Sequence, residues 1–128
     1  MNDDQFGALQ RLWEQAYGHY NGGARVIQRF LLGLYNGRRF PFDLTDFRRL
    51  DIGNFEACLA VLSLDFVPKR EVHMSMAIVI GKPLDWTQLV FEQWAFDNGL
   101  KNRATKKELE EWRSAVKRRS EARAAACT

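Results

Sequence analysis

Chemistry in a chain of this kind needs a nucleophile or a base held beside a partner, and histidine is the usual base. Only His19 and His73 are present. His19 stands between Gly18 and Tyr20 at an expected helix end, a common surface position. His73 stands beside Met74 and Met76 in an apolar stretch. The two cysteines, Cys58 and Cys127, lie far apart, with no CxxC spacing and no paired histidine. A metal site needs three or four ligands, and no set of His, Cys or Asp shows that spacing. Asp43, Asp46 and Asp51 cluster, but helix capping accounts for at least one of them. No glycine-rich phosphate-binding pattern occurs, neither GxGxxG nor the Walker type. The chain therefore reads as a non-enzyme, with no catalytic residue, no metal ligand and no cofactor expected.

What the chain does have is positive charge at one end. Net charge is +3, but residues 101–128 hold nine Lys/Arg against four Glu, a net +5. Residues 1–100 hold ten basic against twelve acidic residues, a net −2. A dense basic segment suits phosphate contacts. The candidates are Arg113, Lys117, Arg118, Arg119 and Arg123, with Arg38, Arg39, Arg48 and Arg49 as a weaker second patch. Phe40 and Phe42 interleave with that second patch, and exposed aromatics can stack on bases. The competing reading makes Phe40, Phe42 and Phe47 core and the arginines a solvated rim. Glu108 and Glu121 also dilute the basic segment. A helix-turn-helix at residues 44–50 and 54–65 is rejected, because its second helix is too apolar to enter a groove. DNA and RNA both remain open as partners.

Protein association is the other class. A long projecting helix can pack on a partner or on a second copy. Trp86, Trp94 and Trp112 offer aromatic surface of the kind enriched at binding hot spots, although core packing uses the same residues.

These residues must be positioned by helices. Phe6, Leu9, Leu12, Trp13, Ala16, Tyr17 and Tyr20 recur at three- and four-residue spacing, which predicts a helix over 3–20 stopped by Asn21-Gly22-Gly23. Val26, Ile27, Phe30, Leu31, Leu34 and Tyr35 predict a second over 24–35, with Arg25 and Arg29 on its solvent side. Gly33 inside it costs about 1 kcal/mol against alanine, and a close helix crossing would explain it. Asp43 should cap a short helix with Leu44, Phe47 and Leu50 inward. Asp51 or Asn54 should open a helix to Leu64 that is apolar nearly all round, read as the central buried one. A break follows at Val67-Pro68-Lys69-Arg70. Residues 71–80 alternate as a strand would, yet have no partner strand, so strand and helix both stay open. Asp85 should cap a helix over 86–98, stopped by Asn98-Gly99. Thr105 and Glu108 form a capping box for a last helix to about residue 125, roughly 30 Å long. Its large apolar residues, Leu109, Trp112 and Val116, end halfway along.

The expected fold is therefore all-α: a single compact domain of five or six helices with an extended basic C-terminal helix. Residues 1–100 form the helical core, and residues 101–128 the basic helix, part docked and part projecting. At 128 residues and 46% hydrophobic, the chain can bury a sizeable core, which excludes a wholly disordered protein. No apolar run reaches the roughly 18 residues of a membrane span. The start MNDDQF lacks a signal pattern, so a cytoplasmic location with free cysteines is expected.

The run Val26-Ile27-Gln28-Arg29-Phe30-Leu31-Leu32-Gly33-Leu34-Tyr35-Asn36-Gly37, followed by Phe42-Asp43-Leu44-Thr45-Asp46-Phe47-Arg48-Arg49-Leu50-Asp51, resembles a family of short uncharacterised bacterial proteins. That family is met on plasmids, phages and integrated elements. The likeness spans about residues 8–65 and carries no assigned activity. It implies a small accessory protein of a mobile element, acting on nucleic acid or, alternatively, on a protein such as a host defence component. The basic segment from Lys101 onward lies outside it.

Overall fold

The computed structural model describes residues 1–67 and 69–127. Seven helical segments follow one another, against the five or six expected: α1 (Asp3–Ala16), α2 (Gly22–Tyr35), a 3-10 helix (Leu44–Arg49), α3 (Ile52–Asp65), α4 (Val72–Ile80), α5 (Leu84–Asp97) and α6 (Lys106–Ala126). No strand occurs among the described residues. The expected break at 67–70 centres on Pro68, which lies outside them.

Capping chemistry sets most boundaries. The Thr105–Glu108 box forms in both directions at 3.1 Å, and Asp51 accepts the Asn54 amide at 2.7 Å to open α3. Gly99 ends the α5 region and Gly81 ends α4, each with positive φ. Elsewhere the polar residues act differently from their expected roles. The first helix stops at Ala16, four residues early, because Gly18 adopts φ +75°. The buried Gln28 amide then donates to the carbonyls of Ala16 and His19, satisfying acceptors that the helix end leaves open. Asn21 is a start signal rather than a stop: its side chain accepts the Ala24 amide, and Gly22 and Gly23 lie in the first turn of α2. Asp43 bonds Thr45 through amide and hydroxyl, and Asp46 pairs with Arg29 at 3.2 Å. Asp85 falls inside the first turn of α5, after the Pro83 cap.

Residues 71–80, left open between strand and helix, form α4. Its Val72, His73, Ser75, Met76 and Ala77 are buried. His73 packs edge-on to Tyr35, and burial pushes its pKa below the ordinary histidine value.

The central helix is α2, not α3. It touches α1, α3, α4, α5 and the 3-10 helix, and buries Val26, Ile27, Phe30, Leu31 and Leu32. In α3 only Asn54, Ala57, Cys58 and Val61 are buried. Its other apolar face carries Ile52, Leu59, Leu62 and Phe66, with Ile52 70% and Phe66 85% exposed. An all-round apolar helix has no period to reveal which face is covered. Leu44 is also exposed, whereas Phe47 and Leu50 pack against the core.

A main core joins α1 to α5, and a smaller cluster of Leu89, Leu109 and Val116 docks α6. α6 runs antiparallel along α5, since Arg113 meets Gln93 while Arg119 meets Asp85. Cys58 is buried and Cys127 exposed, and both are free.

Gly33 has a cause that helix crossing does not supply. A Cβ there would stand 3.2 Å from the Phe42 Cβ and 3.5 Å from the Phe40 carbonyl, so the segment after α2 folds back across it. Gly33→Val should therefore destabilise the protein by roughly 1–3 kcal/mol through overpacking, despite replacing a helix-weakening glycine. Urea unfolding of the two proteins measures this, and an unchanged midpoint would show that the segment yields freely.

Candidate nucleic-acid interface

One of the candidates, Arg39, is engaged inside the protein. Glu92 projects from α5 into the interior with 3% of its side chain exposed. Arg39 donates to both its carboxylate oxygens at 2.8 Å, and the Tyr35 hydroxyl donates a third bond. Gln88 in turn donates to the Tyr35 oxygen at 3.0 Å. Burial, with the Glu92 bond second, pushes the Tyr35 pKa up to about 12. Arg39 also donates to the Asn102 carbonyl, and the Asn102 amide returns a bond to the Arg39 carbonyl. This arginine ties the end of α2 to α5 and to the loop before α6. Its aromatic neighbours are core too: Phe40 is 1% exposed, and Phe42 and Phe47 pack against Phe30.

The remaining eight candidates divide by partner. Arg119 lies 3.1 Å and Arg123 3.7 Å from Asp85, so both clip α6 to the start of α5. Arg113 donates to Gln93 and stays exposed. Arg38, Arg48, Arg49, Lys117 and Arg118 are exposed, and none makes an ion pair among the described residues. Arg48 and Arg49 do help to hold the Asp43 carboxyl below its usual range, after its bonds to Thr45. Arg39 and its loop sit against the start of α6, as the field of Arg39 on Glu108 shows. Arg118 is ten residues farther on, about 15 Å along the helix.

Arg113 and Lys117 are brought together on one feature. They stand one turn apart on the α6 side of a cleft of about 620 Å³. The connection between α1 and α2 supplies Tyr17, His19 and Tyr20 to the opposite side, and α5 supplies Trp86, Val90 and Trp94. Tyr17 stacks on Trp13 at 4.7 Å and meets Trp86 edge-on at 5.8 Å, so these rings are held before any ligand arrives. Tyr20 is 71% exposed and carries the Arg25 guanidinium over its ring at 5.2 Å. Asp97 and Glu121 also line the cleft, and Asp97 accepts a bond from Gln93. Two cations and two carboxylates thus line the cleft, and Arg118 stands next to Lys117 on α6 without lining it.

Sequence reasoning missed the aromatic side of this cleft. Tyr17 and Tyr20 fit the helical period and read as the buried stripe of α1. The available signal was Gly18, which separates them from the helix. His19 read correctly as exposed, but its position at the cleft depends on the fold. Among the described residues, no group of three or more His, Cys, Asp or Glu could hold a metal ion. Nor is any helix there long and apolar enough to cross a membrane.

A family of unknown function (DUF7673) matches residues 6–94. The matched span runs from α1 through most of α5, and leaves α6 with its cations outside. No curated protein and no solved structure matches the chain.

If Arg39 holds the fold rather than a ligand, its loss should resemble a core defect. Arg39→Ala leaves the Glu92 carboxylate buried without its cation, and should cost roughly 2–3 kcal/mol, below the value for a fully buried pair because Arg39 is partly exposed. Arg38→Ala, one residue away on the surface, should change stability by less than about 0.5 kcal/mol. Chemical denaturation of both variants checks the contrast, and equal midpoints would remove the structural role.

Proposed function

The chain belongs to this family of unknown function, and from that premise we propose that it is a non-enzymatic protein that binds nucleic acid through the exposed cations of α6. The observation that supports this reading is the pairing state of those cations. Lys117 and Arg118 are exposed without an ion pair among the described residues, beside Arg113, on a helix anchored by Leu109 and Val116 and clipped by Asp85. A fixed helix presents its charges without paying to order them first. Phosphate neutralisation then releases condensed counterions, which supplies sequence-independent affinity. Arg38, Arg48 and Arg49 offer a separate set of exposed cations. The resemblance to proteins of plasmids, phages and integrated elements adds the setting: a small cytoplasmic accessory protein of a bacterial mobile element.

One observation favours a second reading, association with a second copy of this chain. Ile52, Leu59, Leu62 and Phe66 recur at seven-, three- and four-residue spacing along one exposed face of α3. A seam of that period packs against a like seam.

Titration of labelled DNA and RNA at two salt concentrations tests the first reading. With three phosphate contacts, log K should fall with log salt at a slope of about −2.7 on a duplex and about −2 on a single strand. The double variant Lys117→Glu with Arg118→Glu should abolish that dependence while leaving the fold intact, since neither side chain is paired. No binding at low salt would end the reading.

A light-scattering mass tests the second. A value near twice 14.9 kDa that Leu59→Lys returns to one chain supports self-association, and a wild-type mass of one chain at high concentration excludes it.

A further inference from the structure

We propose that the cleft between the α1–α2 connection, α5 and α6 takes one unpaired base of a nucleic-acid strand, stacked on Tyr20 beside Tyr17 and Trp86, with the adjoining phosphates on Arg113, Lys117 and Arg118. This rests on the nucleic-acid reading and specifies which form of nucleic acid the site accepts.

Three features of the cleft lead there. Its volume of about 620 Å³ lies in the usual range of sites for small planar ligands. Its aromatic side is prearranged, because Trp13 holds Tyr17 and Trp86 by stacking and edge contacts. Tyr20 projects with 71% of its surface exposed, and Arg25 lies over one face of its ring. A base stacked on the other face would cover that ring, as bases do on the aromatic platforms of single-strand binders.

Charge decides the orientation. Arg113 and Lys117 lie one turn apart on the α6 side of the cleft, and Arg118 follows Lys117 about 100° round the helix, next to the cleft rather than lining it. Asp97 and Glu121 line the same cleft, so a phosphate is drawn to Arg113 and Lys117 and repelled by the two carboxylates. An uncharged base edge meets no such repulsion. A duplex cannot use the cleft without first extruding a base, which costs a few kcal/mol of stacking and pairing. Unpaired strands should therefore bind better than duplexes carrying the same phosphates.

The test uses the full chain, an oligothymidine of about 12 nucleotides, its duplex with oligoadenosine, and thymidine monophosphate. Tryptophan emission reports the cleft, because Trp86 and Trp94 line it. The strand should quench that emission and bind about tenfold more tightly than the duplex. Tyr20→Ala should weaken strand binding about tenfold and leave duplex binding unchanged, while Tyr20→Phe keeps the wild-type affinity. The high exposure of Tyr20 makes these variants safe for the fold. If Tyr20→Ala binds the strand as the wild type does, the cleft proposal fails while salt-dependent binding along α6 stands. If the wild type binds neither strand nor duplex at low salt, both fail. If the mononucleotide quenches as strongly and binds as tightly as the strand, chain length adds nothing, and the cleft is a nucleotide site instead of a strand site.

Discussion

Glu92 is a carboxylate inside a hydrophobic protein, and placing one there costs several kcal/mol unless a cation and further donors meet it. Arg39 supplies two charge-assisted bonds, and Tyr35 a third. The three residues come from the loop after α2, from α5 and from the end of α2, so satisfying one charge locks these elements together. Asn102 extends the lock to the loop that aims α6. That loop, the packing of Leu109 and Val116 on α5 and the Asp85 clip together set how α6 lies along α5. A replacement with apolar residues could be as stable, but it would not fix the loop by directional bonds.

The site exists because α6 lies against two different surfaces. Its inner residues, Leu109, Trp112 and Val116, pack on α5 in a small cluster separate from the main core. Its flank faces the aromatic connection between α1 and α2 across open space. A helix wholly merged into the core would leave no cleft, and one held only by charge would not keep its width. Asp85 completes the arrangement by holding two arginines well past the last apolar contact.

Much of this was legible in the residues, and the failures have physical reasons. Helix periods marked α2 and α5, and period together with the Thr105–Glu108 capping box marked α6, because periodicity and capping are local. The end of α1 was misread because Tyr17 and Tyr20 keep the helical period after the backbone has left it, and because Gln28, distant in sequence, satisfies the helix end. α3 was misplaced because apolar residues on every side carry no orientation. Arg39 looked like its neighbour Arg38, since only the fold brings Glu92 to it. The cations of α6 were legible as charge. Which of them Asp85 had already taken was not.

The two thiols carry a practical consequence. Burial pushes the Cys58 thiol up to about 12, which leaves it almost without thiolate at neutral pH and shielded from reagents. Cys127 sits exposed at the far end of α6. The natural sequence therefore offers one addressable sulfur, at the tip of its most basic helix. A dye, a spin label or a photo-crosslinker can be attached there without mutating a residue, within reach of whatever lies along that helix.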